Sequence, residues 1–230
     1  MLAATDYVNE LYRNRRSGII IIEGNPGTGK TAYGANILAE SHSIDGVAGN
    51  WDLDNFKKYM GFHPQKVLEK WRKAHYEKVF LWDDAGAWIN AMDYQDPAIK
   101  KIGKLLQTIR TKYSCIIFTC LDSDDLAKKI RMFAGAITCR ITLSGSEPKS
   151  NEIQRKYRRT ATAKHWEKDW YGKLFRKDEW NEQFCCYMPP VFYNWYEPIR
   201  AHYADMLSIL TLKEIKKTHE ISSTAKFADI

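Results

Sequence analysis

Residues 24–31 read Gly-Asn-Pro-Gly-Thr-Gly-Lys-Thr and match the spacing G-x-x-x-x-G-K-[ST] at every fixed position. The run follows the apolar residues 19–22 and leads into a sequence that is compatible with a helix. Glycines at these positions let backbone N–H groups turn inward toward a bound phosphate, while the lysine and the threonine hydroxyl serve the β/γ-phosphates and Mg²⁺. The pattern predicts a loop that binds ATP or GTP with Mg²⁺, and ATP is the cofactor expected here, through Gly24, Asn25, Pro26, Gly27, Thr28, Gly29, Lys30, Thr31 and Ala32.

Two adjacent carboxylates, Asp83 and Asp84, follow the apolar residues 79–82. A phosphate-binding loop needs such an acidic partner, because the Mg²⁺ that bridges the phosphates is held by the loop hydroxyl and a carboxylate at a strand end. Asp83 is the predicted magnesium residue together with Thr31, and Asp84 is predicted to polarise the attacking water as a general base. The alternative is that both carboxylates only cap the turn at residues 86–90.

Thr119, near the end of the apolar residues 115–120, is predicted to contact the γ-phosphate or its attacking water. This role requires its strand to lie beside the strand that precedes the loop. Hydrolysis also needs a cation on the developing charge, often supplied by a neighbouring subunit. Arg131 and Arg110 are the candidates, and either one instead caps the dipole of its own helix in the alternative interpretation. The predicted catalytic set is Lys30, Asp84, Thr119, Arg131 and Arg110.

Strand-like and helix-like segments alternate from residue 18 to residue 143. Such alternation predicts an α/β fold in which a parallel sheet is flanked by helices. Phosphate ligands bind at the carboxyl ends of such strands, so the loop and the Asp pair are expected to converge in space. The predicted strands are 18–23, 79–82, 115–120 and 136–143; the predicted helices are 6–16, 30–41, 64–76, 98–110 and one from 122 or 123 to 133.

The pattern changes after residue 143, which predicts a P-loop ATPase core at 1–143 and an extension at 144–230. Residues 153–164 and 173–188 are strand-like, and a closing helix is expected from about residue 198 to residue 217. The extension is therefore predicted to be β-rich, basic and aromatic, with a helix at its end.

The formal charge of +7 is concentrated in residues 149–177, which hold ten Lys or Arg residues against three acidic ones. Such a block favours a polyanionic partner, here DNA, and the alternative is a solvated surface whose aromatic residues pack the extension. Phosphate contacts and base stacking are predicted along one strand edge, from Arg155, Lys156, Arg158 and Arg159 with Tyr157 and Trp166 nearby.

Composition excludes several classes of protein. The five cysteines are an odd number, three of them fall in apolar runs, and no His/Cys cluster has metal spacing, which argues against a disulfide framework and a zinc site. No run approaches the roughly 18 apolar residues that a membrane span needs, and the N-terminus lacks the pattern of a secretory signal. We therefore expect no membrane partner and a cytoplasmic location, which is the host cytoplasm if the protein is viral.

The loop sequence and the spacing of Asp83-Asp84, Thr119 and Arg131 resemble those of the AAA+ ATPases, within the larger class whose extra strand carries a sensor residue. The resemblance covers residues 18–143. The chain departs from that family in having Asp84 where a Glu is usual, and in lacking a helical lid with its own sensor arginine after residue 143. The overall layout, with the aromatic residues 193–196, looks like small P-loop ATPases of archaeal viruses and plasmids.

The resemblance and the basic block together predict a homo-oligomeric ATPase that acts on DNA in replication initiation, helicase loading or strand remodelling. One alternative is a DNA-translocating or genome-packaging motor of the HerA/FtsK type, which would use Arg110 as the cation acting in trans. A small-molecule kinase is another, because phosphoryl transfer uses the same loop and Mg²⁺. A third is a nucleotide-gated scaffold, which the shorter Asp84 side chain favours.

Overall fold

The computed structural model describes residues 1–43, 51–90, 96–133, 136–143, 157–168, 170 and 173–225. Seven strands of these residues form one sheet. They are β1 (Gly18–Glu23), β2 (Met60–Gly61), β3 (Glu77–Trp82), β4 (Tyr113–Thr119), β5 (Ala136–Leu143), β6 (Arg158–Lys168) and β7 (Leu174–Cys185).

Helices connect most of these strands and follow the last one. They are α1 (Ala3–Arg13), α2 (Lys30–His42), α3 (Leu53–Tyr59), α4 (Pro64–Lys73), α5 (Pro97–Thr108), α6 (Lys128–Arg131) and α7 (Pro190–Ala225). Single turns of 3-10 helix lie at Ala85–Ala87, Ile109–Thr111 and Ser123–Asp125. Among the described residues, none of the helices has the length and apolar character needed to cross a membrane.

The sheet has the strand order β2-β3-β4-β1-β5-β6-β7. The first five strands in this order are parallel, and β6 and β7 join them as an antiparallel pair. Strand β4 lies between β1 and β3, and Thr119 is in register with Ile22 of β1. The condition placed on the Thr119 prediction, that its strand neighbours the loop strand, is therefore met.

The burial of the central strands explains why the sequence predicts them. All six residues of β1 and all seven of β4 are buried, as expected for parallel strands covered on both faces. Helices α1 and α2 pack on each other and against β3 and β4. Neither β1 nor β4 therefore has a solvent-facing position within its run. Strands β1 and β5 begin and end at the predicted residues.

The helix predicted from 122 or 123 to 133 is wrong as a single element. Leu126 is extended and Ala127 is not helical, and these two residues separate the 3-10 turn at Ser123–Asp125 from the short helix α6. The N–H of Ala127 bonds to the carbonyl of Ile89 at 3.1 Å, and Leu126 forms an isolated bridge with Asn90. These pairings use backbone groups that a continuous helix would have bonded internally.

The strand-rich extension continues the same sheet, with β6 starting at Arg158 and β7 ending at Cys185. The turn-rich residues 145–150 and the first part of the basic block, including Arg155 and Lys156, lie outside the described residues. The chain divides into two compact units, Met1–Pro189 and Pro190–Ile230. The boundary predicted after residue 143 falls within the first of them.

The second unit contains helix α7, which begins at Pro190 rather than at residue 198. A proline in the first helical turn costs no backbone bond, because the N–H groups there have no partner within the helix. Pro198 lies inside α7. The aromatic rings of Phe192 and Tyr196, one turn apart, stack with 5.7 Å between their centroids.

Candidate nucleotide-binding site

The loop between β1 and α2 has the backbone geometry of an anion cradle. Gly24, Gly27 and Gly29 have positive φ angles of 151°, 77° and 95°. Gly29 is the residue that precedes the first helical residue, Lys30, so the N–H groups of the loop lie at the positive end of the α2 dipole. Glycine is required at position 24, where a Cβ would lie 2.8 Å from the carbonyl oxygen of Ile141. This arrangement is suited to a phosphate group.

Lys30 is buried and folded across its own loop. Its Nζ donates to the carbonyl oxygens of Gly24 at 2.6 Å and of Asn25 at 3.0 Å. The Thr28 hydroxyl also donates to Asn25 O, at 2.8 Å. The ammonium group therefore lies at the mouth of the loop. Phosphate oxygens, like these carbonyl oxygens, accept hydrogen bonds, so a bound phosphate would take their place as acceptor.

Thr31 and Asp83 meet although they are far apart in the sequence. The Thr31 Oγ1 donates to Asp83, with distances of 3.0 Å to Oδ1 and 3.2 Å to Oδ2. Thr31 is in the first turn of α2, and Asp83 directly follows β3 and is fully buried. A hydroxyl and a carboxylate at this spacing are the oxygen donors that Mg²⁺ takes beside nucleotide phosphates. The two residues predicted to hold the metal are thus brought together.

Thr119 connects the two aspartates. Its hydroxyl donates to Asp83 Oδ1 at 2.7 Å and accepts a bond from the backbone N–H of Asp84, also at 2.7 Å. The residue is fully buried at the end of β4. Thr31, Asp83, Thr119 and the Asp84 backbone therefore form one chain of hydrogen bonds beside the loop.

Asp84 adopts a left-handed conformation, with φ 50° and ψ 35°. Asp tolerates this region better than most residues, at a cost of about 1 kcal/mol. The bond from its N–H to Thr119 and the turn at Ala85–Ala87 hold the backbone in place. The predicted general base is consequently adjacent to the magnesium residue, and its role stays a prediction.

The two arginine candidates lie in different parts of the fold. Arg131 donates through Nε to Leu126 O at 3.0 Å and forms an ion pair with Asp124. Arg110 is exposed beside Arg16 and Ser17. Those two residues directly precede β1, so Arg110 lies near the amino end of β1, whereas the loop follows its carboxyl end. Action in trans, from a neighbouring copy, remains the prediction for both.

Sequence reasoning missed Glu23, the last residue of β1. Its carboxylate is buried, accepts from Arg140 Nε at 2.7 Å and accepts from the N–H of Ser123 at 2.9 Å. It thereby ties β1 to β5 and to the segment after β4, next to the N–H of Gly24, which bonds to Leu121 O. The sequence does show a carboxylate at the end of an otherwise apolar strand. Its partners are about a hundred residues away in the chain, so the pattern alone does not identify them.

Metal sites of other kinds have no support in the described part of the chain. No group of three or more His, Cys, Asp or Glu side chains there is arranged to hold a metal ion. Burial raises the pKa of the Cys115, Cys120 and Cys139 thiols far above their ordinary value, which keeps these groups protonated. They are small core residues, and all five cysteines are free.

A phosphate-binding loop after β1, with an extra strand between β1 and the strand that ends in the acidic pair, decides the fold. The chain has the P-loop NTPase fold. No known family profile and no curated protein matches it.

Two solved structures are similar to this P-loop NTPase fold. One is the N-terminal domain of zonular occludens toxin from Neisseria meningitidis, at 13% identity and a TM-score of 0.37, covering 78% of this chain and 98% of that one. The other is the genome packaging NTPase B204 from Sulfolobus turreted icosahedral virus 2 in complex with ATP-gammaS, at 12% identity and a TM-score of 0.35, covering 71% and 97%.

Proposed function

We propose that this protein is a Mg²⁺-dependent ATPase that couples ATP hydrolysis to DNA binding or remodelling. The observation that carries the ATPase part is the hydrogen-bonded chain from Thr31 through Asp83 to Thr119, adjacent to Lys30. It groups the hydroxyl, carboxylate and ammonium that bind and activate a nucleoside triphosphate with Mg²⁺. When bound, Mg²⁺ would neutralise charge that develops on the phosphates.

Each residue of the site has a defined task in this proposal. The loop N–H groups and Lys30 bind and orient the triphosphate, Thr31 and Asp83 hold the metal, and Thr119 keeps the Asp83 carboxylate in position. Asp84 takes a proton from the attacking water. A cation from a second copy, Arg131 or Arg110, would complete the charge stabilisation, as the AAA+ resemblance implies.

The positive charge of the basic block supports the DNA part of the proposal. Ion pairs in the structure neutralise some of this charge. Within the described part of the basic block, Lys164 pairs with Asp178 at 3.0 Å and Lys177 with Glu167 at 3.2 Å. Arg176 lies 4.9 Å over the ring of Trp166, a side chain that is 43% exposed. Acidic residues of both strands thus cancel part of the positive charge of the β6–β7 pair. An exposed ring with a cation above it is suited to stacking with a base.

A second basic surface lies between α5 and α6. It is a groove of about 770 Å³ with an apolar floor. The charged side chains that line it are all cations, and one of them, Arg131, is paired with Asp124 outside the lining. Such a rim favours contact with phosphates. The lining cations are Lys100, Lys104, Lys128, Lys129 and Arg131.

The experiment that tests the ATPase part is steady-state phosphate release from ATP with Mg²⁺, over a range of protein concentrations. The wild-type protein is expected to hydrolyse ATP, with a rate per chain that rises with concentration if copies assemble. Lys30→Ala should abolish tight triphosphate binding, whereas Lys78→Ala, on a lysine outside the site, should not. Normal ATP affinity in Lys30→Ala would overturn the proposal.

The DNA part is tested by adding single- or double-stranded DNA to the same assay and by measuring how DNA affinity depends on salt. Charge reversal at Arg158 examines the β6 surface, and reversal at Lys128 and Lys129 examines the groove. Loss of a phosphate contact reduces the slope of log affinity against log salt by about one for each contact. Turnover indifferent to DNA, with unchanged slopes in both variants, would exclude DNA as the partner.

A further inference from the structure

Strand β7 is fastened to α2, the helix that the phosphate loop opens. The Tyr33 hydroxyl donates to Glu182 Oε1 at 2.6 Å and accepts from Trp180 Nε1 at 3.1 Å. The ring of Tyr33 packs on that of Phe184 with 4.7 Å between centroids, and Asn36 Nδ2 donates to Cys185 O at 3.0 Å. These contacts fix the end of the β6–β7 pair relative to the loop.

This fastening brings two side chains against Gly29, the residue that precedes Lys30. A Cβ at Gly29 would lie 2.7 Å from the Cβ of Cys186 and 3.6 Å from the Cγ of Arg159. Cys186 follows β7, and its N–H bonds to the carbonyl of Tyr157 at 2.8 Å, just before β6 begins. The start of β6 and the end of β7 therefore form a wall along one side of the loop.

Arg159 places a positive charge on that wall. Its neighbours in the sheet are Leu143 of β5 and Phe184 of β7, so its backbone is held on both sides. The guanidinium lies only a few bonds beyond the Cγ that reaches the Gly29 position, and one of its five N–H donors binds the Arg158 carbonyl at 2.8 Å. A planar guanidinium binds phosphate oxygens with two donors at once.

The position of the wall also determines which phosphates of a bound nucleotide it would contact. The metal residues Thr31 and Asp83 and the Thr119 hydroxyl lie toward β3 and β4, on one side of β1. Strands β5 and β6 lie on the other side of β1. A triphosphate bound with its γ-phosphate at the metal residues and extending across the loop would have its remaining phosphates on the β6 side.

We infer that Arg159 is a nucleotide-binding residue that contacts the α- or β-phosphate from the same chain. The inference rests on the proposed function, because it requires that the loop binds a nucleotide. It assigns to Arg159 a role other than the DNA contact that the basic block predicts. It also supplies, from the sheet extension, an in-chain cation for a protein in which no helical lid with a sensor arginine is predicted.

The test measures equilibrium binding of ATP with Mg²⁺, and of inorganic tripolyphosphate, to the full chain. Arg159→Ala is expected to weaken both by about tenfold or more, since a charge-assisted bond is lost. Arg158→Ala is the matched control, because this neighbouring arginine is exposed and alternates to the opposite face of β6. It should leave both affinities unchanged. Wild-type affinity in Arg159→Ala, with Lys30→Ala impaired, would overturn this inference and leave the proposed function standing.

A second measurement uses only the wild-type protein, so its result does not depend on whether a variant folds. Alkylation of the wild-type protein with N-ethylmaleimide, followed by mass spectrometry, reports Cys185 and Cys186 separately. Cys185 is exposed and Cys186 is partly buried against the loop, and burial raises the pKa of the Cys186 thiol. ATP with Mg²⁺ should slow labelling of Cys186 several-fold and leave Cys185 unaffected. Equal labelling of Cys186 with and without ATP, at concentrations where ATP binds, would contradict the inference.

Discussion

At the scale of single residues, Thr119 is the side chain on which both aspartates depend. Replacement by Val keeps the size of the side chain and removes the bonds to Asp83 and to the Asp84 N–H, whereas Ser retains both. Thr119→Val is expected to lower kcat about 100-fold with little change in ATP affinity, and Thr119→Ser to keep most of the activity. Phosphate release and equilibrium ATP binding measure the two effects separately.

A loss of activity in Thr119→Ser as large as in Thr119→Val would contradict this role, because the serine hydroxyl can make the same two bonds. An equal loss of ATP affinity in both variants would instead indicate general damage to the loop.

The two aspartates are expected to differ in what they control. Asp83→Asn should raise the Mg²⁺ concentration needed for half-maximal ATP turnover, because the carboxylate paired with Thr31 loses its charge. Asp84→Asn should leave ATP binding unchanged and lower turnover by a factor of about 100 or more. Titration of Mg²⁺ at fixed ATP distinguishes them. Full turnover in Asp84→Asn would show that another group activates the water.

These residues also show what sequence could predict. The positions of Lys30, Thr31, Asp83 and Thr119 beside one another were predictable, because each ends or directly follows a buried strand or occupies a fixed place in the loop motif. The positions of Glu23 and Arg159 beside the loop were not predictable, because they depend on contacts between residues more than a hundred positions apart. In the sequence, Arg159 is distinguished only as one charge of a basic block.

At the scale of the loop as an element, Gly27 and Gly29 offer a matched pair. Both have positive φ, but a Cβ at Gly27 meets nothing within 4 Å, while one at Gly29 meets the Cβ of Cys186 at 2.7 Å. Alanine at either position is expected to cost about 1–2 kcal/mol of unfolding free energy from backbone strain. Gly29→Ala should cost about a further 1–3 kcal/mol, because the loop and β7 are forced apart.

Urea denaturation of both variants gives the two free energies. An equal loss of stability would mean that the loop and the end of β7 separate without cost, and the wall described for Arg159 would then not be rigid.

Element boundaries were predictable where the sequence pattern had a single explanation. The continuous apolar run of β1 and the mainly apolar, β-branched sequence of β5 define those strands, since residues on both sides are polar or are turn residues. The break at Leu126 and Ala127 was not predictable, because it depends on bonds to Ile89 and Asn90. The predicted start of α7 at residue 198 is wrong, because a proline predicts a helix boundary there and the helix instead contains Pro198.

At the scale of the whole molecule, His42 is expected to make stability depend on pH. Burial lowers its pKa below the ordinary 6.5, with the ring stacked on Tyr59 at 3.7 Å and its Nε2 3.0 Å from the carbonyl of Val79. The charged groups that act on it are Glu77, Lys78 and Lys58.

The unfolded chain therefore binds a proton at His42 at a higher pH than the folded protein does. The free energy of unfolding should fall as pH drops below 6.5, until the folded protein is also protonated. Urea denaturation at about pH 7.5 and pH 5.5 measures this difference. His42→Phe, which keeps an aromatic ring beside Tyr59, should reduce the pH dependence, and His75→Phe, at an exposed position, should retain it. The same slope in His42→Phe as in the wild type would assign it to another group.

The order of the strands has a further consequence at the two margins of the sheet. One margin is β2, which is two residues long. The other is β7, which is largely exposed and carries four consecutive charged residues at 176–179. Short or charged edges resist templating by an incoming strand. Growth of the sheet from one molecule into the next is therefore disfavoured, and a ring or filament of these chains would be joined through helices and loops, leaving the β-sheet of each copy closed to its neighbours.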